Sequence, residues 1–180
     1  MTESLQDIKN EILTLLPDLR AFARSLARDA TRADDLVQDT IVKAWSNFDK
    51  FQPGTDLRAW LFTILRNHYY SELRKIKREV EDPNGVIAGA VPVAARQLDH
   101  VALADFNAAL ATLGDEQREA LVLVGASGFS YEEAAAICGC AIGTVKSRVN
   151  RARARLAEVL ALGGEHKIAT EGEASAARGH

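Results

Sequence analysis

Apolar residues recur at helical spacing along most of the chain. Leu5, Ile8, Ile12, Leu15, Leu16, Leu19, Phe22, Ala23 and Leu26 mark a helix over 5–28. Pro17 falls inside it, where it removes a backbone donor and crowds the preceding turn, so two helices are expected there. Leu36, Val37, Ile41, Ala44, Trp45 and Phe48 mark a second amphipathic segment over 33–48. Asn47 to Gly54 is turn-rich and holds the breaker pair Pro53-Gly54. A long helical pattern follows over 56–78, with Asp56 as cap or first-turn acid.

Residues 79–100 change character, with prolines, glycines and small apolar residues, and read as a linker. Residues 101–112 read as helix again. Asp115 stands at a cap position before a helix over 116–124, which Gly125 to Gly128 break. Ser130 and Glu133 form a capping box for a short helix to Ile137. Gly139, between Cys138 and Cys140, can take the positive φ of a tight turn. A last helix covers 142–161 and Gly163-Gly164 ends it. The pattern predicts an all-α protein of two small helical domains, 1–78 and 101–162. A flexible linker over 79–100 joins them, and a disordered tail over 163–180 follows.

Composition narrows the function classes. No apolar run reaches the roughly 18 residues of a membrane span, and the N-terminus has no basic start or apolar stretch of a signal peptide. A cytoplasmic protein is expected. Two cysteines build no disulfide framework, and Cys138 and Cys140 have no companion CxxC or HxxxH for zinc. The sequence carries no P-loop, GxSxG, HExxH or GxGxxG motif, so neither an enzyme nor a cofactor is expected.

Net charge is −3, but it is segregated. Residues 58–78 carry Arg58, Arg66, Arg74, Lys75, Lys77 and Arg78 against Glu72, and residues 141–156 carry Lys146, Arg148, Arg151, Arg153 and Arg155 with no acid. Two basic segments on an acidic background point to two local anionic contacts.

The second basic segment follows a capped helix and a glycine turn, the outline of a helix-turn-helix. On a helical wheel Val145, Val149, Ala152 and Leu156 fall within about 40° of one line and form a buried stripe. Ser147, Asn150 and Arg151 lie opposite, with Thr144 close by. Lys146 and Arg153 flank them on one side, Arg148 and Arg155 on the other. Short polar side chains and one arginine suit base edges, and flanking cations suit phosphates.

In the 56–78 helix, Leu61, Ile64, Leu65 and His68 cluster on a face expected to be buried, with His68 a packed core residue. Thr63, Arg66, Asn67, Tyr70 and Arg74 form a polar strip. A tyrosine that stacks and an asparagine that reads a base edge suit unpaired or flipped-out DNA better than a duplex groove. In the 34–48 segment Asp35, Gln38, Asp39 and Lys43 share a face, either a partner-docking surface or a solvated one.

Together the stretches DDLVQDTIVKAW (34–45), DLRAWLFTILRNHYYSELRK (56–75) and FSYEEAAAICGCAIGTVKSRVNRARARL (129–156) resemble bacterial sigma factors of the extracytoplasmic-function (ECF) type. The nearest likeness is to the general stress response group of alphaproteobacteria. The resemblance spans residues 8–160 and implies a factor that binds core RNA polymerase and directs it to promoter DNA. It implies polymerase docking through Asp35, Gln38, Asp39 and Lys43. Asn67 would capture a flipped base of the −10 element, beside Thr63, Arg66, Tyr70 and Arg74, with the 49–55 loop lining the pocket. Thr144, Lys146, Ser147, Arg148, Asn150 and Arg151 would read the −35 element. It further implies an inhibitory partner, a small helical anti-sigma factor of the NepR type. One departure is Ala141, where the family has proline. Two alternatives stay open: a sigma-like mimic that binds only an anti-sigma factor, and a stand-alone helix-turn-helix regulator.

Overall fold

The computed structural model describes residues 5–52, 54–80, 106 and 108–176, and it is helical throughout, with no strand among the described residues. Helix α1 spans Leu5–Ala27, α2 Ala30–Ser46 and α3 Leu57–Val80, with a 3₁₀ turn at Phe48–Lys50 before α3. Residues 108–111 form a short helix, α4. Helix α5 spans Asp115–Leu121 and runs into a π-helical turn at Val122–Ala126, followed by α6, Tyr131–Cys138, and α7, Ile142–Ala176. The expected linker lies outside the described residues from position 81 onward.

Caps set several of these boundaries. Asp29 accepts the Arg32 N–H at 2.7 Å and starts α2. Asp56 accepts the Ala59 N–H at 3.1 Å and starts α3, as expected. The Ser130–Glu133 capping box is formed in both directions, at 3.1 and 2.7 Å. Gly139 ends α6 at φ +64°.

Four local expectations need correction. Pro17 does not divide the first helix: α1 is continuous through it. The proline cannot donate to the Leu13 carbonyl, but Leu13 is 62% exposed, so water can serve that oxygen, and the apolar stripe stays in register on both sides. Gly114, not Asp115, caps α5, and Asp115 turns its carboxylate to Arg118 at 2.6 Å. Gly125 does not break the helix outright. The backbone widens into a π turn, closed by the Ser127 N–H on the Val122 carbonyl at 2.8 Å. Finally, α7 runs through Gly163-Gly164, so the expected disordered tail is helical over 163–176. Glycine costs a helix about 1 kcal/mol but does not forbid it, and Glu165, Lys167 and Ala169 beyond it are helix formers.

The two halves do not hold separate cores. Ile8, Leu19, Phe22, Leu26, Leu61, Phe62 and Leu65 of the first half form one buried cluster with Leu123, Phe129, Ile137, Val145 and Val149 of the second. Phe62 is its centre, with Phe22 stacked on one side at 4.9 Å and the Phe129 edge on the other, also at 4.9 Å. A smaller cluster of Ala109, Leu113, Ala152 and Leu156 seats α4 on α7.

Candidate nucleic-acid interface

The polar strip of α3 divides between two environments. One is an open groove of about 390 Å³ between the end of α2 and α3. Lys43, Asn47 and Lys50 line it on one side, and Trp60, Asn67 and Ser71 on the other. Asn67 is exposed in it. Lys50 donates to Asn47 Oδ1 at 2.6 Å, and Asn47 Nδ2 donates to the Lys43 carbonyl at 2.9 Å, which holds both lysine-bearing segments at the rim. An indole wall, an amide and two ammonium groups are the functional groups an unpaired nucleotide engages.

The other environment is closed. Arg66 Nε donates to Glu119 Oε1 at 2.7 Å, and the Tyr70 hydroxyl donates to Glu119 Oε2 at 3.2 Å. The Arg66 guanidinium also lies over the Tyr70 ring at 4.7 Å. The Glu119 side chain is 0% exposed and Arg66 only 17%. Burial raises the Glu119 carboxyl above its usual range, opposed by the Arg66 charge. Burial and the Glu119 carboxylate push the Tyr70 phenol far up, so it stays a hydrogen-bond donor. Arg66 Nη1 also donates to Asn67 Oδ1 at 3.4 Å. Thr63 is half-buried and donates to the Ala59 carbonyl at 2.8 Å, whereas Arg74 is exposed.

Three further arginines clamp the same interface. Arg58 donates to the Ser127 carbonyl, covers the Phe129 ring at 4.3 Å and meets Asp18 at 3.4 Å. Arg118, 1% exposed, reaches back to the Ser25 carbonyl at 2.5 Å. Arg28, at φ +59° just beyond α1, meets the Leu113 carbonyl and Asp115, each at 3.4 Å. Arg28, Arg118 and Glu119, and Arg58 from the basic segment of α3, are not among the site residues expected from the sequence. A signal was there for two of them. Arg118 and Glu119 stand one helical turn before Val122 and Leu123, on the apolar side of their helix, where a charge needs a buried partner.

His68 is not packed in apolar surroundings as expected. Its Nε2 lies 3.0 Å from Asp39 Oδ2 and 3.6 Å from Glu72 Oε1, and Lys43 Nζ meets its Nδ1. Asp35, Gln38, Asp39 and Lys43 are all exposed on α2. Val42 is 57% exposed among them, and Trp45, expected to be buried, is 37% exposed, tilted against Phe48 with Lys9 above it.

On α7 the wheel holds. Val145, Val149 and Ala152 are fully buried and Leu156 nearly so. Thr144, Lys146, Asn150 and Arg151 are exposed, and Ser147 is half-buried. Lys146 sits 5.6 Å from the Tyr131 ring. Arg148 departs from its expected place: it turns inward, pairing with Glu116 at 2.6 Å and donating to Cys140 Sγ at 3.7 Å. It braces α5 against α7. Arg153 is exposed, and Arg155 pairs with Glu158 at 3.2 Å.

The two thiols differ. Burial and the Glu119 charge push Cys138 up to about 12, whereas Cys140 is half-exposed. At neutral pH a disulfide reagent should modify Cys140 at least about tenfold faster than Cys138, read by peptide mapping. Equal rates would show that the interface opens faster than the reagent reacts.

No helix among the described residues is long and apolar enough to cross a membrane. The family model for sigma-70 region 2 matches residues 12–79, and that for sigma-70 region 4 matches residues 103–156. The chain is 57% identical over 164 residues to the ECF RNA polymerase sigma factor EcfG of Rhodopseudomonas palustris, covering 91% of this chain and 89% of that one. It is 36% identical to the RNA polymerase sigma factor CnrH of Cupriavidus metallidurans, over 79% of this chain and 80% of that one. Among solved structures it is similar to the sigma factor RpoE of Bartonella quintana, crystallised with the anti-sigma factor NepR. That likeness has a TM-score of 0.78 and 57% identity, and covers 87% of this chain and 98% of that chain. With both regions matched and the EcfG likeness running over nearly the whole length, the chain belongs to the sigma-70 family, within it to the ECF sigma factors.

Proposed function

We propose that this chain binds core RNA polymerase and directs it to promoters of a general stress response, under the control of a NepR-type anti-sigma factor. Residues 1–78 act as the polymerase-binding and −10 domain, and residues 101–162 as the −35 domain. What supports this reading is that one chain holds two polar surfaces of different kinds, each suited to nucleic acid. The α3 groove offers Asn67, Trp60 and two lysines to an unpaired strand. Helix α7 offers Thr144, Lys146, Asn150 and Arg151, with Ser147 beside them, to a duplex groove. A stand-alone regulator needs only the second surface. A mimic that binds only an anti-sigma factor needs neither.

The interdomain contact supports external control. With Arg66 and Tyr70 committed to Glu119, the strip cannot engage a strand along its full length, so the closed form is an inactive one. The structural likeness to a relative crystallised with NepR supports an anti-sigma factor of that type as the partner that holds it. Polymerase docking falls to the exposed face of α2 around Asp35 and Gln38, where Val42 adds apolar surface.

The test is run-off transcription with core polymerase and templates of varied −35 and −10 elements. Transcripts that require this chain are expected. Ser147→Glu with Arg151→Glu should lower them at least about tenfold on templates that depend on the −35 element, and Asn67→Ala should lower them on all templates. Capture of a NepR-type protein without any transcript would favour the mimic. Tight polymerase-independent binding of one duplex site would favour the regulator.

A further inference from the structure

Lys43 shares the exposed surface of α2 with Asp35 and Gln38, which suggests a common docking role, but its side chain points elsewhere. On α2 the positions Asp35, Gln38, Val42 and Trp45 face outward, whereas Asp39 and Lys43 lean toward Leu36 and the seam with α3. The contacts agree. Lys43 Nζ meets His68 Nδ1, and His68 Nε2 meets Asp39 Oδ2 at 3.0 Å, so an α3 ring links the two α2 side chains across the seam. Lys43 also lines the groove that holds Asn67, on the same side as Lys50.

We infer that Lys43 is a nucleic-acid contact: its ammonium meets a backbone phosphate of the unpaired strand whose base enters the groove at Asn67. Asp39 and His68 are positioning residues for it. This rests on the −10 reading above and moves Lys43 out of the docking surface. The ring's hydrogen bonds give the reason. With Lys43 donating to Nδ1, the Nε2–H donates to Asp39, so the ring accepts from the ammonium on one side and is anchored on the other. Lys43 is thereby held at the rim, where it and Lys50 can bracket one phosphate-sugar step.

Asp39, His68 and Glu72 also place three ligand atoms within 4.8 Å, a spacing a divalent ion accepts. Ligation through Nε2 would put the ring proton on Nδ1, directly against the Lys43 ammonium, so the cluster is better matched to holding the lysine than to holding a metal.

The experiment uses holoenzyme assembled from core polymerase and the full chain, bound to a promoter fragment already unpaired across the −10 element. Two quantities are read: the affinity for core polymerase, and the salt dependence of fragment binding. Lys43→Gln is expected to weaken fragment binding about threefold at low salt and to reduce the salt slope by about 0.7, the value for one single-strand phosphate. Core affinity should be unchanged. Lys43→Arg should restore the slope, and His68→Ala should weaken binding without changing it. A Lys43→Gln protein that loses core affinity and keeps its slope would return Lys43 to the docking surface. One that changes neither would also overturn the inference. Asn67→Ala runs in parallel: if that variant binds the fragment normally, the −10 reading itself fails, whatever Lys43 does.

Discussion

Glu119→Ala should open the molecule. The side chain is fully buried between the two halves and accepts from both Arg66 and Tyr70. Removing it leaves a guanidinium and a phenol pointing into an interface with no acceptor. Two such donors, one of them charged, are worth about 2 kcal/mol together, roughly thirtyfold in the ratio of closed to open forms. Solution scattering should report a larger radius of gyration, and core polymerase should bind more tightly because less free energy is spent on opening. An unchanged radius would show that Phe62, Phe129 and the arginine clamps hold the halves without Glu119. Circular dichroism checks that α5 still forms.

The same site sets a pH dependence. Burial raises the closed-state pKa of Glu119 above its usual value of 4.5, so the closed form binds the proton more tightly than the open form. The proton-linked part of its contribution to closing is therefore fully present below about 4.5 and is lost as pH rises through the closed-state value, while the hydrogen bonds from Arg66 and Tyr70 remain. A glutamine in this position keeps a carbonyl acceptor and has no group that titrates. Glu119→Gln should stay closed and lose this pH dependence, and in that respect should behave differently from Glu119→Ala.

The second large effect is on stability. Arg118→Ala should lower the unfolding free energy by about 3 kcal/mol, a drop in Tm of roughly 6–12 °C for a chain of this size. Arg118 is 1% exposed and spends its donors on three acceptors: the Ser25 carbonyl at 2.5 Å, the Leu113 carbonyl at 3.2 Å and Asp115 at 2.6 Å. These join the end of α1, the entry to α5 and the first turn of α5. Truncation leaves buried carbonyls without a donor and a void where the guanidinium lay. Arg118→Lys should recover little, because one ammonium cannot reproduce the planar fork that serves three directions. A loss under about 1 kcal/mol would mean water replaces the guanidinium at little cost.

The periodicity of apolar residues was enough to place the helices and to separate the buried from the solvent face of α7, because both follow from local geometry at 3.6 residues per turn. Val145, Val149, Ala152 and Leu156 read correctly for that reason, as did the caps at Asp56 and Ser130. The family likeness was legible in the same way, in three short motifs. Neighbours far apart in sequence were not. Arg66 and Tyr70 look like any exposed cation and aromatic until α5 brings Glu119 against them, across 53 and 49 residues of chain. Arg148 shares its helix face with DNA-facing candidates until Glu116 draws it inward. Lys43 lies at the edge of the α2 polar face, and only the packing of α3 places His68 beside it. Pro17 and Gly163-Gly164 carry breaker propensities of a few kcal/mol or less, which the structure around α1 and the helix formers beyond the glycines override. Sequence by itself thus determined the helices, their apolar faces and the family. The tertiary structure decided which polar groups are free for a partner, because a charge takes its role from whatever packing sets opposite it.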